Sequence, residues 1–502
     1  MALVNPGQGS AFQRQALSAA ATAVLASALL FIGSRHAPWF DEAQAWLIAR
    51  DNTLWKMFSA MGYEGTPALW HFILWIAIRC GLPFSRLYLI SGIAACIGCW
   101  IVVQKAPFPT WARLGVVFSY FFAYQYATVA RSYALDLILI PLAASLYRDR
   151  LRRPLAYCTV LGLLANTNAH SFLIAGVLFA GFLWDGFAVD RLRSVRLRRA
   201  IALFMVLAVA AVLQAWRPAD ANLANSQSSW RTIGNQIGEA LLDRPDILSS
   251  ERPSVIARIT GVVLSGAALA ALALVLLRAK NGSIFIGIVS TLLLFAALIY
   301  GNRWHAGLIF LVCVFCVWIS WDRIDSMALW RKRSLLAGAV IVIAVHFWYT
   351  LASWRHELAR PYSAGPVAAA VLKDYFAVNG ATSVAGAGVK AFAVQPWFSR
   401  NVFANYYNGA PSPAYYDWRK TQSYRRSEDL SDWRKLMREQ KYDVLVLSDY
   451  AEDAGLRDFI GEAEQFGYCV AKFVPGGMIW KSYIADPDNL IILDHCASHQ
   501  SR

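Results

Sequence analysis

Five short clusters of ionisable and amide side chains interrupt a chain that is otherwise strongly apolar. Such groups are costly in or beside a bilayer, so each cluster is a functional hypothesis. The clusters are Asp41 with Glu42; Glu64 with His71; Arg131, Tyr133 and Asp136; Asn166, Asn168 and His170; and Asn302, Arg303 and His305. Each cluster is a weak signal by itself, and the prediction of one shared site depends on all five reaching the same side of the membrane.

These residue types suit the transfer of a group from a lipid-linked phosphate donor. A carboxylate on an exposed loop can remove the proton from an attacking hydroxyl, and we expect Asp41 to be this base, with Glu42 second. Arginine binds two phosphate oxygens at once through its planar fork. Because a departing phosphate needs no general acid, one base and a cationic rim suffice. We expect that rim to contain Arg131, His170, Arg303 and His305.

Each cluster also has a structural interpretation. Adjacent acids at the start of a helix favour its positive N-terminal end, which would explain Asp41 and Glu42 without chemistry. Arg131 and Asp136 could form an ion pair that only stabilises the fold, and His170 could cap a helix end. Arg303 and His305 could contact lipid headgroups, while Glu64 and His71 favour neither interpretation.

The elements that must position these groups are membrane helices. Of 502 residues, 57% are apolar and 16% are charged, whereas soluble domains carry about a quarter charged residues. Apolar runs approaching the length of a membrane span recur along the first 352 positions. The predicted spans are 15–34, 67–80, 87–103, 112–127, 132–147, 155–168, 171–187, 198–216, 255–277, 283–300, 305–320 and 334–352.

The positive charges predict the orientation of these spans. The formal charge is +15, but the basic residues lie in short loops between spans, as at 148–153, 191–199, 278–280 and 331–333. This distribution marks cytoplasmic loops and argues against nucleic-acid binding. Residues 35–66, 217–254 and the tail after 353 then face the other compartment. A cytoplasmic N-terminus and a cytoplasmic 148–153 loop require an even number of spans between them. One stretch between 67 and 127 must therefore be re-entrant, split or non-spanning, which predicts 11 or 13 spans in total.

Beyond residue 353 the sequence pattern is that of a soluble α/β domain, which we expect to be extracytoplasmic. Helices are predicted at 364–378 and 452–465, and strands at 383–388, 443–448 and 468–474. The aromatic loop 406–418 suits either sugar binding or contact with the membrane surface, and filling a small core explains it equally well. Cys469 and Cys496 both fall in this exported domain, where a disulfide is chemically permitted.

Five motifs resemble those of a known family over about residues 1–380. They are WFDEAQAW, EGTPALWHFILW, ARSYALD, NRWHAG and YSAGPVA. In this order they resemble the GT-C glycosyltransferases, in the branch of the protein O-mannosyltransferases, the lipid A aminoarabinose transferase and the lipopolysaccharide galacturonosyltransferases. The resemblance implies that Asp41 is the catalytic base, that Asp136 is a second acidic position and that Arg131 is the arginine preceding it.

Two departures from the family pattern concern the donor phosphate. Gly65-Thr66-Pro67 stands where the family has His-Pro-Pro, and the nearby lysine is missing. Arg131, Arg303 and the histidines are then the groups left for the phosphate. Some relatives bind a divalent metal, and Asp41, Glu42 and Asp136 would hold one only if they converge. The sequence requires no cofactor, and the metal is left open.

The sequence therefore predicts an all-α polytopic membrane protein of the GT-C type, with 11–13 transmembrane helices over 1–352 and a C-terminal extracytoplasmic α/β domain over 353–502. The expected activity is an inverting transfer of a sugar from a polyprenyl-phosphate-linked donor to a hydroxyl of a glycolipid, polysaccharide or protein. We expect it at the periplasmic face of a bacterial inner membrane.

Two other functions are compatible with the same hydropathy. A transporter or flippase for a lipid-linked sugar would need polar residues near the bilayer midplane and paired repeats with broken helices, which the sequence lacks. A scaffold whose tail binds a partner leaves the Asp41 loop unexplained.

Overall fold

The protein is a bundle of apolar helices joined to a small sheet domain. The computed structural model describes residues 11–190, 193–222, 229–244, 248–380, 382–420, 430–448 and 456–496. The helices are α1 (Ala11–Gly33), α2 (Phe40–Asp51), α3 (Leu54–Glu64), α4 (Leu69–Arg79), α5 (Tyr88–Lys105), α6 (Thr110–Val117), α7 (Asp136–Tyr147), α8 (Pro154–Ala165), α9 (Ala169–Asp190), α10 (Val195–Ala215), α11 (Trp230–Leu241), α12 (Val255–Arg278), α13 (Gly282–Leu298), α14 (Ala306–Asp325), α15 (Leu329–Ala359), α16 (Gly365–Asn379), α17 (Leu430–Glu439) and α18 (Leu456–Gln465). Seven of the apolar helices are long enough to cross a membrane by themselves.

Helix α4 does not cross the bundle, although its sequence predicts a span. Its last residue, Arg79, donates from Nη2 to the carbonyl of Asn52 at the end of α2, over 3.0 Å. Phe84, which follows it, lies 5.3 Å between ring centroids from Trp397 of the tail. At the other end, the amide of Ala68 donates to Gln214 at the end of α10, and the carbonyl of Asp220, which follows, accepts from the amide of Lys420 in the tail. Both ends of α4 are thus on the face of the bundle that contacts the tail, which we call the tail-side face.

The predicted span at 112–127 is broken in two. Helix α6 ends at Val117, and a π-helical turn over Phe121–Gln125 continues toward the tail-side face. With α4 set aside, the described bundle contains eleven apolar segments: the seven long helices, the shorter α7, α8 and α13, and the broken segment. Eleven successive crossings would place consecutive loops on alternate faces. The basic loops then share the opposite face, which we call the basic face. The number of spans then agrees with the positions of the basic loops, which the sequence alone did not achieve.

The first predicted outer loop, 35–66, forms α2 and α3. The aromatic residues of this loop predict a helix lying on the membrane surface, but α2 is buried along most of its length. It packs against the tail, where the carbonyl of Phe398 accepts a 2.7 Å hydrogen bond from Arg50. In α3 the pattern differs, since Trp55 is 79% exposed. The second predicted loop, 217–254, contains the helix α11.

The tail contains a four-stranded sheet in the order β1-β2-β6-β3, formed by β1 (Val384–Ala387), β2 (Val444–Ser448), β3 (Tyr468–Val474) and β6 (Leu490–His495). Strands β1 and β2 are parallel, and the other pairings are antiparallel. The three predicted strands are present, and α16 and α18 occupy the two predicted helical regions. Residues 452–455 of the second predicted helix lie outside the described residues. Helix α17 and strand β6 have no counterpart in the sequence prediction.

A hairpin of the tail is inserted into the helical bundle. It consists of β4 (Gly477–Trp480) and β5 (Tyr483–Pro487). The indole of Trp480 is fully buried, with its centroid 5.5 Å from that of Tyr120 and 5.2 Å from that of Trp304. Burial of so large an aromatic side chain typically contributes a few kcal/mol, so the hairpin fixes the tail on the bundle.

The tail also carries a covalent cross-link. A disulfide joins Cys469 of β3 to Cys496, which follows β6, and closes a separation of 27 residues. The membrane module and the tail meet at α15, which continues past the predicted boundary at 352 to Ala359.

Candidate functional site

The loop between α1 and α2 brings two acids into the first turn of α2, where they play different parts. Glu42 is 1% exposed and accepts hydrogen bonds through both carboxylate oxygens. Oε2 accepts from the backbone amide of Trp39 at 3.2 Å and pairs with His36 Nε2 at 2.9 Å. Oε1 accepts from the amide of Ala130 at 2.7 Å. The carboxylate of Glu42 therefore fastens α2 to the segment that precedes Arg131.

His36 connects Glu42 to the last transmembrane helix. Its Nδ1 lies 2.9 Å from Glu357 Oε1 of α15, which also accepts a 2.7 Å hydrogen bond from the Tyr124 hydroxyl. Burial lowers the pKa of His36, but the two carboxylates outweigh it and raise the pKa to about 10. His36 is then an imidazolium that donates to an acid from each of its nitrogens. It joins α1, α2 and α15 at the tail-side face.

Asp41 points the other way and remains accessible. Its Oδ2 lies 2.8 Å from Nη1 of Arg131, and the two side chains are 28% and 25% exposed. Burial raises the pKa of Asp41, while Arg131 lowers it and Glu42 raises it, and the balance is a raised pKa. Of the two adjacent acids, only Asp41 can meet a molecule arriving from outside the protein.

Aromatic and imidazole rings form a wall beside Arg131. The guanidinium lies 5.7 Å from the ring centroid of Trp39 and 5.5 Å from that of Tyr133. The Tyr133 ring is 5.9 Å from that of His305, which lies 3.6 Å from His170. The structure thus gathers four of the predicted residues, but both histidines are buried behind Tyr133.

The tautomer of His305 follows from its neighbours. Its Nδ1 accepts a 3.0 Å hydrogen bond from the amide of Asn302, which leaves the proton on Nε2 of a neutral ring. Asn168 rather than His170 caps α9, since its Oδ1 accepts a 2.9 Å hydrogen bond from the amide of Ser171. His170 is therefore not the cap of α9, and its ring instead hydrogen-bonds the backbone of Tyr300, just beyond the end of α13.

Asp136 does not lie where the sequence prediction needs it. Its carboxylate is 0% exposed and accepts hydrogen bonds from Thr167 and Asn168 at 3.1 Å each and from Ser171 at 2.9 Å. These three hydroxyl and amide donors lie at the turn between α8 and α9. Asp136 therefore holds this turn and does not make the predicted substrate contact. The alternative prediction, an ion pair between Asp136 and Arg131, is also wrong, because Arg131 pairs with Asp41.

The remaining three predicted residues lie in separate surroundings. Glu64 ends α3, accepts a 2.8 Å hydrogen bond from Gln44 and has a pKa that burial raises to about 7. His71 is buried in α4, and its Nδ1 has no hydrogen-bond partner among the described residues. Arg303 faces the inserted hairpin, where its Nη1 lies 3.5 Å from the Tyr483 hydroxyl. Neither His71 nor Arg303 contacts Asp41 directly in the described structure.

The acids proposed as conditional metal ligands do not converge. Asp41 pairs with Arg131, Glu42 with His36, and Asp136 with the α8–α9 turn. Within the described ranges, no group of three or more His, Cys, Asp or Glu side chains is placed to hold a metal ion.

The sequence prediction misses the residues that connect the site to the rest of the chain. His36 and Glu357 are separated by 321 positions, so no local pattern relates them. The side chain of Gln44 accepts a 2.8 Å hydrogen bond from the amide of Tyr416 and donates over 2.7 Å to the carbonyl of the same residue. This pair of hydrogen bonds aligns the tail with α2. The only sequence signal for a role of Gln44 is its position one turn after Asp41.

These features define a polytopic membrane protein. Its helix ends, two short helices and a docked tail surround a partly exposed acid–arginine pair. Its fold is the GT-C fold. It is similar to the crystal structure of ArnT from Cupriavidus metallidurans bound to undecaprenyl phosphate, with a TM-score of 0.52 and 12% sequence identity. The likeness covers 96% of this chain and 98% of that one. No family model and no curated protein sequence matches the chain.

Proposed function

We propose that the protein is a membrane glycosyltransferase that moves a sugar from a polyprenyl-phosphate-linked donor to an acceptor hydroxyl, with inversion at the anomeric carbon. The observation that carries this proposal is the contact between Asp41 and Arg131, 2.8 Å apart and both accessible. A base and a phosphate-binding cation are then side by side. The fold shared with a protein bound to undecaprenyl phosphate supports the choice of donor.

The reaction needs one base and no acid from the protein. The acceptor oxygen attacks the anomeric carbon and transfers its proton to the carboxylate of Asp41. The bond from that carbon to the phosphate oxygen breaks, and the electron pair leaves with the phosphate. Inversion follows because attack occurs opposite the leaving group. The raised pKa of Asp41 favours proton acceptance near neutral pH.

Arg131 would stabilise the departing phosphate. The guanidinium has five N–H donors, so it can keep its contact with Asp41 while binding phosphate oxygens. Tyr133 borders it on one side, and His305 and His170 pack behind Tyr133. In this proposal the two histidines are positioning residues, and Arg303 contributes positive charge from beside the hairpin.

The location proposed for this activity is the outer face of a bacterial inner membrane. Loops rich in arginine and lysine, such as the one holding Arg150 and Arg152, lie on the basic face, and such loops remain in the cytoplasm. The tail-side face would then be extracytoplasmic. The disulfide in the tail supports this orientation, because disulfides persist in oxidising compartments.

The decisive experiment compares Asp41→Asn with the unaltered protein in membranes supplied with a radiolabelled polyprenyl-phosphate sugar and envelope acceptors. We expect Asp41→Asn to lose transfer while reaching the same membrane abundance. An exposed acid on the basic face, Asp322, gives the matched control Asp322→Asn, which retains transfer. Full activity of Asp41→Asn would refute the proposed mechanism.

A further inference from the structure

A cavity of about 540 Å³ lies between the helices α2 and α3 and the tail, beyond the acid–arginine pair. This volume is within the range of small-molecule sites, roughly 300–1,000 Å³. Helix α2 contributes Ile48 and Asp51, Asn52 follows directly after it, and α3 contributes residues from Lys56 to Glu64. The tail closes it with the segment 407–419, which overlaps the aromatic loop 406–418.

Aromatic rings dominate the cavity wall. They are Tyr63, Tyr407, Tyr415, Tyr416 and Trp418. Within this wall, the Tyr416 ring packs against Phe392 behind it, with 5.3 Å between centroids, and lies 4.6 Å from the ring of Trp418. Rigid rings with polar tips provide flat apolar surface together with hydrogen-bonding groups. That combination matches a sugar ring, which has an apolar C–H face and a rim of hydroxyls.

Most charges around the cavity are neutralised by partners within the protein, and the exception is Lys56, whose side chain is exposed. Asp51 pairs with Arg50 at 2.6 Å and accepts a 2.7 Å hydrogen bond from the amide of Ala414. Asp417 pairs with Arg419 at 3.0 Å. Glu64, with a pKa near 7, carries only part of a charge at neutral pH. The cavity therefore suits an uncharged polyhydroxylated ligand better than a phosphate or an anionic lipid headgroup.

The cavity and Asp41 share one face of α2. Positions 41, 44, 48 and 51 are spaced by three or four residues and so lie in one row along the helix. At about 1.5 Å per residue, Asp41 is roughly 10 Å from Ile48 along the axis. Gln44 lies between them and donates to Glu64, which lines the cavity.

We propose that this cavity binds an uncharged oligosaccharide portion of the acceptor and directs its terminal hydroxyl toward Asp41. The inference rests on the proposed transferase function, because it assigns the ligand to the acceptor side of that reaction. A short saccharide lying along the aromatic wall would span the distance between the cavity and the base. The tail would then select the acceptor through residues 407–419.

Binding is measured separately from transfer, with the full-length Asp41→Asn protein in detergent on an array of purified bacterial envelope oligosaccharides. We expect at least one uncharged oligosaccharide to be retained. Adding Trp418→Ala should weaken that binding roughly three- to tenfold, as expected for one aromatic contact. Trp418→Phe keeps a ring and should retain most of it. The matched control is Trp55→Ala, on α3 but outside the cavity lining, which should bind as before.

A second variant keeps the test decisive if Trp418→Ala does not fold. Ser59 lines the cavity from an exposed position, so Ser59→Trp adds bulk at the opening without removing a buried contact, and it should abolish binding. The inference is overturned if no uncharged oligosaccharide binds, or if binding is the same in Ser59→Trp. Either result leaves the transfer assay of Asp41→Asn as the independent test of the proposed function.

Discussion

Nη1 of Arg131 and Oδ2 of Asp41 are 2.8 Å apart, although one precedes α7 and the other lies in the first turn of α2. The contact joins two loops at the tail-side face and couples the protonation of the acid to the position of the cation. In the proposed reaction, the same contact would place the proton acceptor next to the leaving phosphate.

Replacement of Arg131 by Gln should lower kcat/KM and change its pH dependence. Loss of one donor to a developing charge typically costs about 10²–10³ in rate. Because Arg131 lowers the pKa of Asp41, its removal raises that pKa. A base must be deprotonated to act, so the acidic limb of the pH–rate profile should move to higher pH. Arg152→Gln, an exposed arginine on the basic face, is the control. An unmoved acidic limb would contradict the pairing.

Glu42→Gln should destabilise the protein, whereas Asp41→Asn should not. Removing the charge of Glu42 breaks a buried pair with His36, which typically costs about 3–5 kcal/mol. Asp41 is partly exposed, so its loss leaves no buried charge. Thermal unfolding of the two variants in detergent distinguishes them, and equal melting temperatures would show that Glu42 has no structural role.

Stability should fall between about pH 6.5 and pH 10 because of His36. The pKa of His36 is raised from 6.5 to about 10 in the folded protein. A raised folded-state pKa contributes stability that is complete below the unfolded value and is lost as the pH rises through the folded one. The expected result is a decline in melting temperature over this window that His36→Gln reduces. A decline identical in the variant would exclude His36 as its origin.

Cys80 should react from outside the cell. It is an exposed free cysteine directly after α4, whose two ends both lie on the tail-side face. In cells with a permeabilised outer membrane, a membrane-impermeant maleimide should label Cys80. A cysteine placed at Arg152, in a background with Cys80 replaced by Ser, should be protected until the inner membrane is opened. Protection of Cys80 would mean that α4 crosses the membrane after all.

The sequence predicts the long helices well because a bilayer demands continuous apolar runs. It misplaces α4 and the 112–127 segment, since hydropathy does not record whether a run crosses the membrane. Arg79 returns to the end of α2, and the chain after Val117 turns into a π-helical segment. Strand β6 is missed because its short run, buried except at His495, lacks the alternation that marks a half-buried strand.

Part of the grouping around Asp41 was predictable from the sequence, but the roles of the individual residues were not. Asp41, Arg131 and Tyr133 lie together, as expected for groups at the same ends of neighbouring helices. What distinguishes Asp41 from Glu42 is the set of hydrogen bonds from His36 and Ala130. The Ala130 amide is 88 positions away from Glu42, and contacts over such separations produce no periodic pattern in the sequence.

The contact of Gln44 with Tyr416 joins residues 372 positions apart. During synthesis, α2 would emerge on its side of the membrane long before the segment that aligns it has been translated. Glu357, the partner of His36, would also arrive late, 321 positions after that histidine. A partly made chain would therefore hold Asp41 in an unfinished loop. In the proposed enzyme, the surroundings of the acid–arginine pair would be completed only after the tail has been translated and has docked on α2.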